Sequence, residues 1–214
     1  MLSGMPPATA NTSTAPTIAR DVLGILRLPA PQAAPLLIGC ELEAHGVRAR
    51  IVETEAYHSE ADLACHAARG RTPRTEPLYA KSGTLYVYLC YGLHQMLNLV
   101  CDVEGTPSAV LIRAIAITAG EDVARERRQN LRTPLARLAN GPGRVAQALA
   151  LNRNHNHSGL ELGQAICPLK LHPASSRPPL ANGGRIGVAY AGPEWGAKPW
   201  RWWERDFPVA GRAS

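Results

Sequence analysis

The alternation of apolar and polar positions is clearest in residues 51–57, where it predicts a β-strand. β-Branched and aromatic residues are enriched in this segment, as is typical of strands. Side chains two apart on a strand share a face, so Glu53, Glu55 and Tyr57 should project together, spaced roughly 7 Å apart. Two carboxylates beside an aromatic ring suit acid–base chemistry on a stacked ligand. The plainer interpretation is an edge strand with two solvated glutamates.

A second apolar and aromatic run, residues 83–92, predicts a strand that ends at a glycine, and residues 94–100 predict its return partner. Tyr86 and Tyr88 share one face of this hairpin, whereas Tyr91 falls on the other face beside the turn. Five of the six tyrosines lie in residues 57–91, and the chain has a single Phe. Tyrosine offers a stacking face and a hydroxyl, so this clustering indicates a planar, polar ligand.

The remaining pattern predicts strands and helices in separate clusters, which favours an α+β fold in one domain. Helices are predicted over residues 16–27, 121–128 and 144–151, and further strands over residues 36–44, 47–57, 109–117, 185–191 and 200–204. A Pro/Ala linker is expected over residues 28–35, and a polar connection over residues 64–79.

Composition adds a candidate partner. The 214 residues are 45% hydrophobic, enough for a sizeable core, and the net charge is +6 with a pI near 9.3. A basic domain indicates nucleic acid as the first partner to consider. The basic residues are twenty arginines and only three lysines, Lys81, Lys170 and Lys198, so a lyase that works through a lysine Schiff base has few candidate residues.

Five scattered cysteines without a Cys-x-x-Cys pair argue against a zinc knuckle or a disulfide framework and favour a reducing compartment. No apolar run is long enough for a transmembrane helix. Residues 1–17 are rich in Ala, Thr, Ser and Pro, which predicts a disordered tail before a domain over residues 18–205 and a C-terminal tail over residues 206–214. We expect a monomer without a metal or cofactor and without membrane association.

Seven ordered segments resemble the alkyladenine (3-methyladenine) DNA glycosylase family, the one unrelated to helix-hairpin-helix glycosylases. They are residues 51–57, 64–74, 81–92, 110–114, 140–144, 147–152 and 185–192, and Asn98 matches as well. The resemblance runs from about residue 18 to residue 203. It implies a base-excision repair enzyme that hydrolyses the N-glycosidic bond of alkylated or deaminated purines in double-stranded DNA. It also implies a curved, mainly antiparallel sheet with surrounding helices and a protruding hairpin that inserts into DNA.

The resemblance implies catalytic roles for Glu55, as the general base that activates water, and for Arg113. Glu53 has the same chemistry and is a rival on sequence grounds alone, so we carry it as a structural residue, and one of the two carboxylates could pair with Arg113.

By the same resemblance, Tyr57 and Tyr88 would sandwich the flipped base. His66, held by Tyr86, would line the pocket. Asn98 would form a pocket wall that meets the 2-amino group of guanine.

The resemblance also implies DNA contacts outside the pocket. Tyr91 would fill the gap left by the flipped nucleotide. Phosphate contacts are expected from two loops, the second at a helix start where backbone N–H groups favour anions: Arg69, Arg71, Arg74, Gly141, Gly143 and Arg144. The family more often has Ser-Lys at positions 143 and 144, so the detail of that contact departs from the pattern.

Two alternatives remain open from the residues. A non-catalytic DNA- or RNA-binding module would use the same tyrosines to recognise modified bases, and a small-nucleoside hydrolase would use Glu53 and Glu55 as a carboxylate pair. The hairpin and the basic loops favour DNA over a free nucleoside. The enzyme would act at the nucleoid in the cytoplasm of a bacterium, or in the nucleus of a eukaryote. The four tryptophans after residue 194 are interpreted as packing residues.

Overall fold

One antiparallel sheet dominates the computed structural model, which describes residues 21–160 and 167–209. In this part of the chain the strands are β1 (Glu41–Ala44), β2 (Val47–His58), β3 (Leu85–Cys90), β4 (His94–Val100), β5 (Ser108–Ala119), β6 (Lys170–His172), β7 (Leu180–Gly183) and β8 (Arg201–Glu204). Their order is β3-β4-β5-β2-β1-β6, with β8 pairing with both β2 and β7. The α+β prediction with a mainly antiparallel sheet is confirmed.

Short helices surround this sheet. They are α1 (Val22–Leu26), α2 (Ala30–Leu37), α3 (Glu121–Arg128), α4 (Leu135–Leu138), α5 (Pro142–Ala148) and α6 (Gly192–Ala197). Single 3₁₀ turns occupy His66–Arg69, Glu76–Tyr79, Arg153–His155 and Ala189–Ala191. Among the described residues, no helix is long and apolar enough to cross a bilayer.

β2 is a central strand, which decides how its carboxylates are placed. It pairs with β5 from residue 48 to residue 58, with β1 over residues 47–50 and with β8 over residues 53–55. Residues 51–56 are buried on both faces, and Thr54 donates a 3.0 Å hydrogen bond to the Ala34 carbonyl of α2. The edge-strand interpretation with solvated glutamates is therefore wrong, because both faces of this strand are covered.

The predicted linker over residues 28–35 is wrong, since most of it forms α2. Pro29 is the N-cap and Pro31 lies in the first turn, where a missing N–H costs nothing. Pro35 lies inside the helix and is only partly buried, while Ala33, Ala34 and Leu37 pack into the core. This apolar face outweighs the proline penalty. The strand predicted from residue 36 accordingly begins only at Glu41.

The predicted strand over residues 185–191 is also wrong. This segment forms a turn and then the 3₁₀ helix Ala189–Ala191, with Gly187 in the left-handed region at φ 76°. Ile186 and Val188 alternate as in a strand, but Val188 is buried against Ala64 and Ala191 in a small cluster of its own, outside the sheet. The neighbouring prediction over residues 200–204 is confirmed as β8.

The hairpin and the charged helix are confirmed, as β3–β4 and α3. The helix predicted over residues 144–151 begins two residues earlier, at Pro142, and ends at Ala148. Of the helix predicted over residues 16–27, the described part is α1, and residues 16–20 lie outside the described residues together with the predicted tail of residues 1–17. Strands β6 and β7 and helices α4 and α6 were not predicted.

Candidate active site

Glu53 and Arg113 form a buried ion pair at the centre of the sheet. Nε of Arg113 lies 3.0 Å from Oε1 of Glu53, and Nε of Arg201 lies 2.6 Å from the same oxygen. Glu53 is 1% exposed, and the side chains of both arginines are less than 10% exposed. Two cations on one carboxylate oxygen fix Glu53 and leave it poorly placed to take a proton from water. Its expected structural role agrees with this geometry.

Glu55 is fully buried, accepts two hydrogen bonds and forms one ion pair. Oε2 accepts a 2.8 Å hydrogen bond from the Tyr57 hydroxyl and lies 3.2 Å from Nη1 of Arg113. Oε1 accepts a 2.7 Å hydrogen bond from the backbone N–H of Ile186. Glu55 is therefore fixed in position beside the residues that line the cavity described below.

A break in the register of β2 and β5 places Arg113 between the two carboxylates. Glu53 pairs with Ala114 while Thr54 pairs with Ile112, so Arg113 is an extra residue on β5 at this point. Extra residues of this kind bend a strand and redirect a side chain, and they are common next to active sites. The predicted pairing of Arg113 with one carboxylate is confirmed, and the structure adds its contact with the second.

A cavity of about 550 Å³ opens beside this cluster. Ligand sites for small molecules fall in the range of about 300–1,000 Å³. The predicted pocket residues all line it: Tyr57, His66, Tyr86, Tyr88 and Asn98. Arg113, Ile186, Tyr91 and Arg74 line it as well. Through Arg113, the cavity therefore connects the ion-pair cluster to the predicted base-binding residues.

The aromatic wall of the cavity is built on β3. The rings of Tyr86 and Tyr88 stack with centroids 5.2 Å apart and planes 28° apart, and the His66 ring meets Tyr88 edge-on at 4.6 Å. Nδ1 of His66 lies 2.9 Å from the Tyr86 hydroxyl, so the predicted contact that fixes the His66 ring is present. Burial, and secondly the nearby Arg74 cation, lower the pKa of His66 to about 4, so His66 is neutral at pH 7. Asn98, opposite Tyr86 in the hairpin, donates to the Tyr86 carbonyl at 3.1 Å.

Arg185 lies over the ring of Tyr57 and forms a buried ion pair with Asp62. The sequence assigns no role to either Arg185 or Asp62. Two nitrogens of Arg185 lie 2.6 and 2.8 Å from the carboxylate oxygens of Asp62, with both side chains fully buried. The guanidinium carbon stands 4.8 Å from the centre of the Tyr57 ring and 5.1 Å from that of Trp200. Arg185 falls in a segment that matches the family, which was the available signal, whereas nothing in the sequence marks Asp62.

The hairpin tip exposes Tyr91. Its side chain is 90% exposed and its backbone is left-handed at φ 50°, followed by Gly92 at φ 69°. Leu93, 77% exposed, closes the turn with its N–H on the Cys90 carbonyl at 3.0 Å. A large ring held out at the tip has no packing role there. This position agrees with the predicted wedge, and contact with DNA stays a prediction.

The predicted phosphate residues divide between two sides of the cavity. On one side, Arg69 is exposed, Arg71 pairs with both oxygens of Glu76 at 2.6 and 2.7 Å, and Arg74 lies against Tyr88. On the other side, Gly141 precedes α5, and exposed Arg144 donates to the Asn140 carbonyl.

Gly143 lies in contact with the hairpin, because a Cβ there would stand 3.0 Å from the Cβ of His94. A serine at this position, as the family often has, would need the hairpin to shift slightly.

Trp195 and Trp200 meet edge-on, and Lys198 stands 4.3 Å from the first ring and 5.2 Å from the second. Their interpretation as packing residues agrees with these contacts. Within residues 21–160 and 167–209, no group of three or more His, Cys, Asp or Glu side chains is placed to hold a metal ion.

The fold, the buried carboxylates and the aromatic cavity are suited to hydrolysis of a planar ligand, and comparison with known proteins gives the family. The sequence model of the methylpurine-DNA glycosylase family matches residues 17–208, and the chain belongs to this family. It is therefore an enzyme of base-excision DNA repair, a glycosylase that hydrolyses N-glycosyl bonds.

Relatives agree over most of the chain. The DNA-3-methyladenine glycosylase of Arabidopsis thaliana is 41% identical over 188 residues, which cover 85% of this chain and 70% of the relative. A protein of Myxococcus xanthus, provisionally named a 3-methyladenine DNA glycosylase, is 42% identical over 191 residues, covering 88% of this chain and 84% of the relative.

Proposed function

We propose that this glycosylase hydrolyses the N-glycosidic bond of alkylated or deaminated purines that have been flipped out of double-stranded DNA, with a water activated by Glu55. One observation carries the proposal: the fully buried Glu55 carboxylate is held by Tyr57, Arg113 and Ile186, all three of which line the cavity. The proposed enzyme acts as a monomer on duplex DNA.

Glycosidic cleavage passes through an oxocarbenium-like state, in which positive charge develops on the sugar. A carboxylate next to the sugar would stabilise that charge and remove the proton from the attacking water. Arg113 lies between Glu55 and Glu53 and pairs with both, so it offsets part of the negative charge that the two neighbouring carboxylates carry. In this mechanism Glu55 takes the proton, and Glu53 keeps Arg113 in place.

The target base is inside a duplex, so it must leave the stack before it reaches the cavity. Tyr57 and Tyr88 would contact its faces, His66 and Asn98 its edges, and Tyr91 would occupy the vacated position in the stack. Damaged bases pair and stack less well, so their extrusion costs less free energy. Aromatic stacking is therefore the proposed basis of base capture.

Water as the nucleophile is supported by the position of the lysines. None of the three lysine side chains lines the cavity, and Lys81 is exposed. A Schiff-base mechanism needs an amine next to the sugar carbon. We therefore propose a monofunctional glycosylase that leaves an abasic site.

Paired glutamine variants test this proposal. Glu55→Gln and the matched control Glu53→Gln are incubated with a duplex that carries one hypoxanthine, and alkali-labile strands are measured. We expect Glu55→Gln to lose ~10²–10⁴-fold in excision, the usual contribution of a general base, while its binding to the duplex survives. Glu53→Gln should retain measurable activity if it folds. A dead Glu53→Gln with an active Glu55→Gln would reverse the assignment.

The same assay separates the alternatives. A binding module would retain the damaged duplex without producing alkali-labile strands. A nucleoside hydrolase would release hypoxanthine from free inosine faster than from the duplex.

A further inference from the structure

Arg74 brings a guanidinium to the aromatic wall of the cavity. Its guanidinium carbon lies 5.7 Å from the centre of the Tyr88 ring, and the residue lines the cavity together with His66 and Tyr86. Its charge acts on both neighbours: after burial, it is the second cause that lowers the pKa of His66, and it opposes the burial that raises the pKa of Tyr86 to about 12. Arg74 is thus electrostatically part of the base pocket.

No acidic side chain in residues 21–160 or 167–209 forms an ion pair with Arg74. The other arginines near the cavity form ion pairs with carboxylates. Arg113 pairs with Glu53 and Glu55, Arg185 pairs with Asp62, and Arg71 pairs with Glu76. His66 is neutral at pH 7. Within the described chain, Arg74 therefore carries a formal charge at the aromatic wall that no carboxylate offsets.

We propose that Arg74 is a specificity-determining residue of the base pocket, which donates to the acceptor edge of a neutral 6-oxopurine and disfavours purines that carry a positive charge. This inference rests on the proposed function. A guanidinium is a planar fork of N–H donors that fits the O6 and N7 acceptors of an oxopurine. Hypoxanthine presents both acceptors and no charge.

A cationic alkylpurine meets two penalties at the same position. Its charge is repelled by the guanidinium, and because Arg74 is exposed, salt screens part of this repulsion. It also competes with Arg74 for the electron-rich face of Tyr88. A 7-methylguanine base has, in addition, lost its N7 acceptor to the methyl group. The aromatic wall alone would favour cationic bases, and Arg74 opposes that preference.

A phosphate contact would behave differently. Loss of a phosphate contact weakens binding to every duplex alike and lowers the dependence of affinity on salt. Loss of a base contact changes the ratio between substrates and leaves the salt dependence nearly unchanged. Arg69 is exposed like Arg74 but does not line the cavity, so it provides the matched control for the phosphate role.

The test compares single-turnover excision from two duplexes that are identical except for one hypoxanthine or one 7-methylguanine. The wild type, Arg74→Gln, Arg74→Lys and Arg69→Gln are measured at saturating enzyme, with thermal unfolding as the check on folding. For Arg74→Gln we expect the ratio of hypoxanthine to 7-methylguanine excision to fall about tenfold or more, a magnitude typical of one bidentate base contact. Arg74→Lys keeps the positive charge but lacks the planar fork of N–H donors. Its rate of hypoxanthine excision should therefore fall, while its rate of 7-methylguanine excision should not rise.

A ratio unchanged within twofold in Arg74→Gln overturns the assignment. So does an equal loss on both duplexes with a reduced salt dependence, which would match Arg69→Gln and identify a phosphate contact. A wild type that excises only 7-methylguanine also overturns it. If the wild type excises neither base, the proposed function fails and the role of Arg74 fails with it, whereas failure of the ratio alone leaves the proposed function standing.

Discussion

The hydroxyl of Tyr57 donates a 2.8 Å hydrogen bond to Oε2 of Glu55. The residue proposed to stack on the flipped base therefore also holds the proposed general base. Burial, followed by the charge of Glu55, raises the pKa of Tyr57 well above 10, so its hydroxyl remains a donor at neutral pH. Arg185 lies over one face of the Tyr57 ring. Tyr57 therefore sets the position of Glu55 through its hydroxyl and presents the proposed stacking face through its ring.

Tyr57→Phe separates these two roles. The ring keeps its stacking area, but Glu55 loses one of its two hydrogen bonds. A hydrogen bond to a charged group contributes about 1.5–3 kcal/mol, so we expect single-turnover excision to fall by roughly tenfold or more while affinity for the damaged duplex changes little. Tyr190→Phe is the matched control, since its hydroxyl donates to the Ala64 carbonyl at 3.0 Å and not to Glu55. Equal rates for Tyr57→Phe and the wild type would show that this bond has no catalytic role.

Glu53→Gln should destabilise the fold more than Glu55→Gln. One carboxylate oxygen of Glu53 accepts hydrogen bonds from both Arg113 and Arg201, so its negative charge offsets theirs. Removal of one partner from a buried ion pair costs about 3–5 kcal/mol of stability. Glu55→Gln keeps an acceptor oxygen for one of the two neutral donors, Tyr57 or Ile186, and leaves Arg113 paired with Glu53. Urea unfolding of both variants at pH 7.5 gives the comparison. Equal free energies of unfolding would contradict the structural role assigned to Glu53.

The sequence predicts the catalytic strand well and its surroundings poorly. Strand alternation places Glu53, Glu55 and Tyr57 on one face, and the structure brings them together around Arg113. The register break that inserts Arg113 depends on long-range pairing between β2 and β5, for which the local pattern has no signal. The Arg185–Asp62 pair is similarly invisible, because 123 residues separate its members.

Local propensity also misleads at α2 and after Gly183. Three prolines within residues 29–35 indicate a linker, yet they occupy the N-cap, the first turn and a partly buried position of a helix whose alanines pack on β2. Alternation at Ile186 and Val188 indicates a strand, but the backbone turns at Gly187 so that the Ile186 N–H reaches Glu55. In both cases tertiary contacts outweigh the local preference.

The lowered pKa of His66 predicts a pH dependence of stability. The folded value is about 4 and the ordinary value is 6.5, so the unfolded state binds more protons between these limits. Stability should therefore rise as the pH increases from about 4 to 6.5, and the contribution of His66 should be constant above 6.5. His66→Gln should flatten this rise in thermal unfolding scans at pH 4.5, 5.5 and 6.5. A slope equal to that of the wild type would mean that His66 titrates normally.

Borohydride trapping tests the proposed water mechanism. With no lysine on the cavity wall, turnover should form no Schiff base, so borohydride added during excision should yield no protein–DNA adduct. The products are examined by denaturing gel, with a known bifunctional glycosylase as the positive control. A trapped adduct that disappears in Lys81→Arg would contradict the monofunctional mechanism.

Tyr91→Ala tests the proposed wedge. If the ring replaces the flipped base in the stack, its loss should remove roughly 1–3 kcal/mol, the range for contacts between a base and an aromatic side chain. This loss should fall on specific binding to damaged duplex, where a base must be held out. Binding to undamaged duplex should change little, because phosphate contacts supply it. Excision from a single strand should be spared relative to duplex, since a single strand has less stacking to repair.

The measurement is a paired titration of Tyr91→Ala against damaged and undamaged duplexes at one salt concentration. Because Tyr91 is 90% exposed, its removal should leave thermal unfolding unchanged, which separates a wedge from a packing residue. Equal weakening on both duplexes together with a lower melting temperature would show that the ring orders the β3–β4 hairpin. Unchanged affinity for both would show that Tyr91 does not enter the stack. Weakening confined to the damaged duplex is the outcome that the exposed position at the tip predicts.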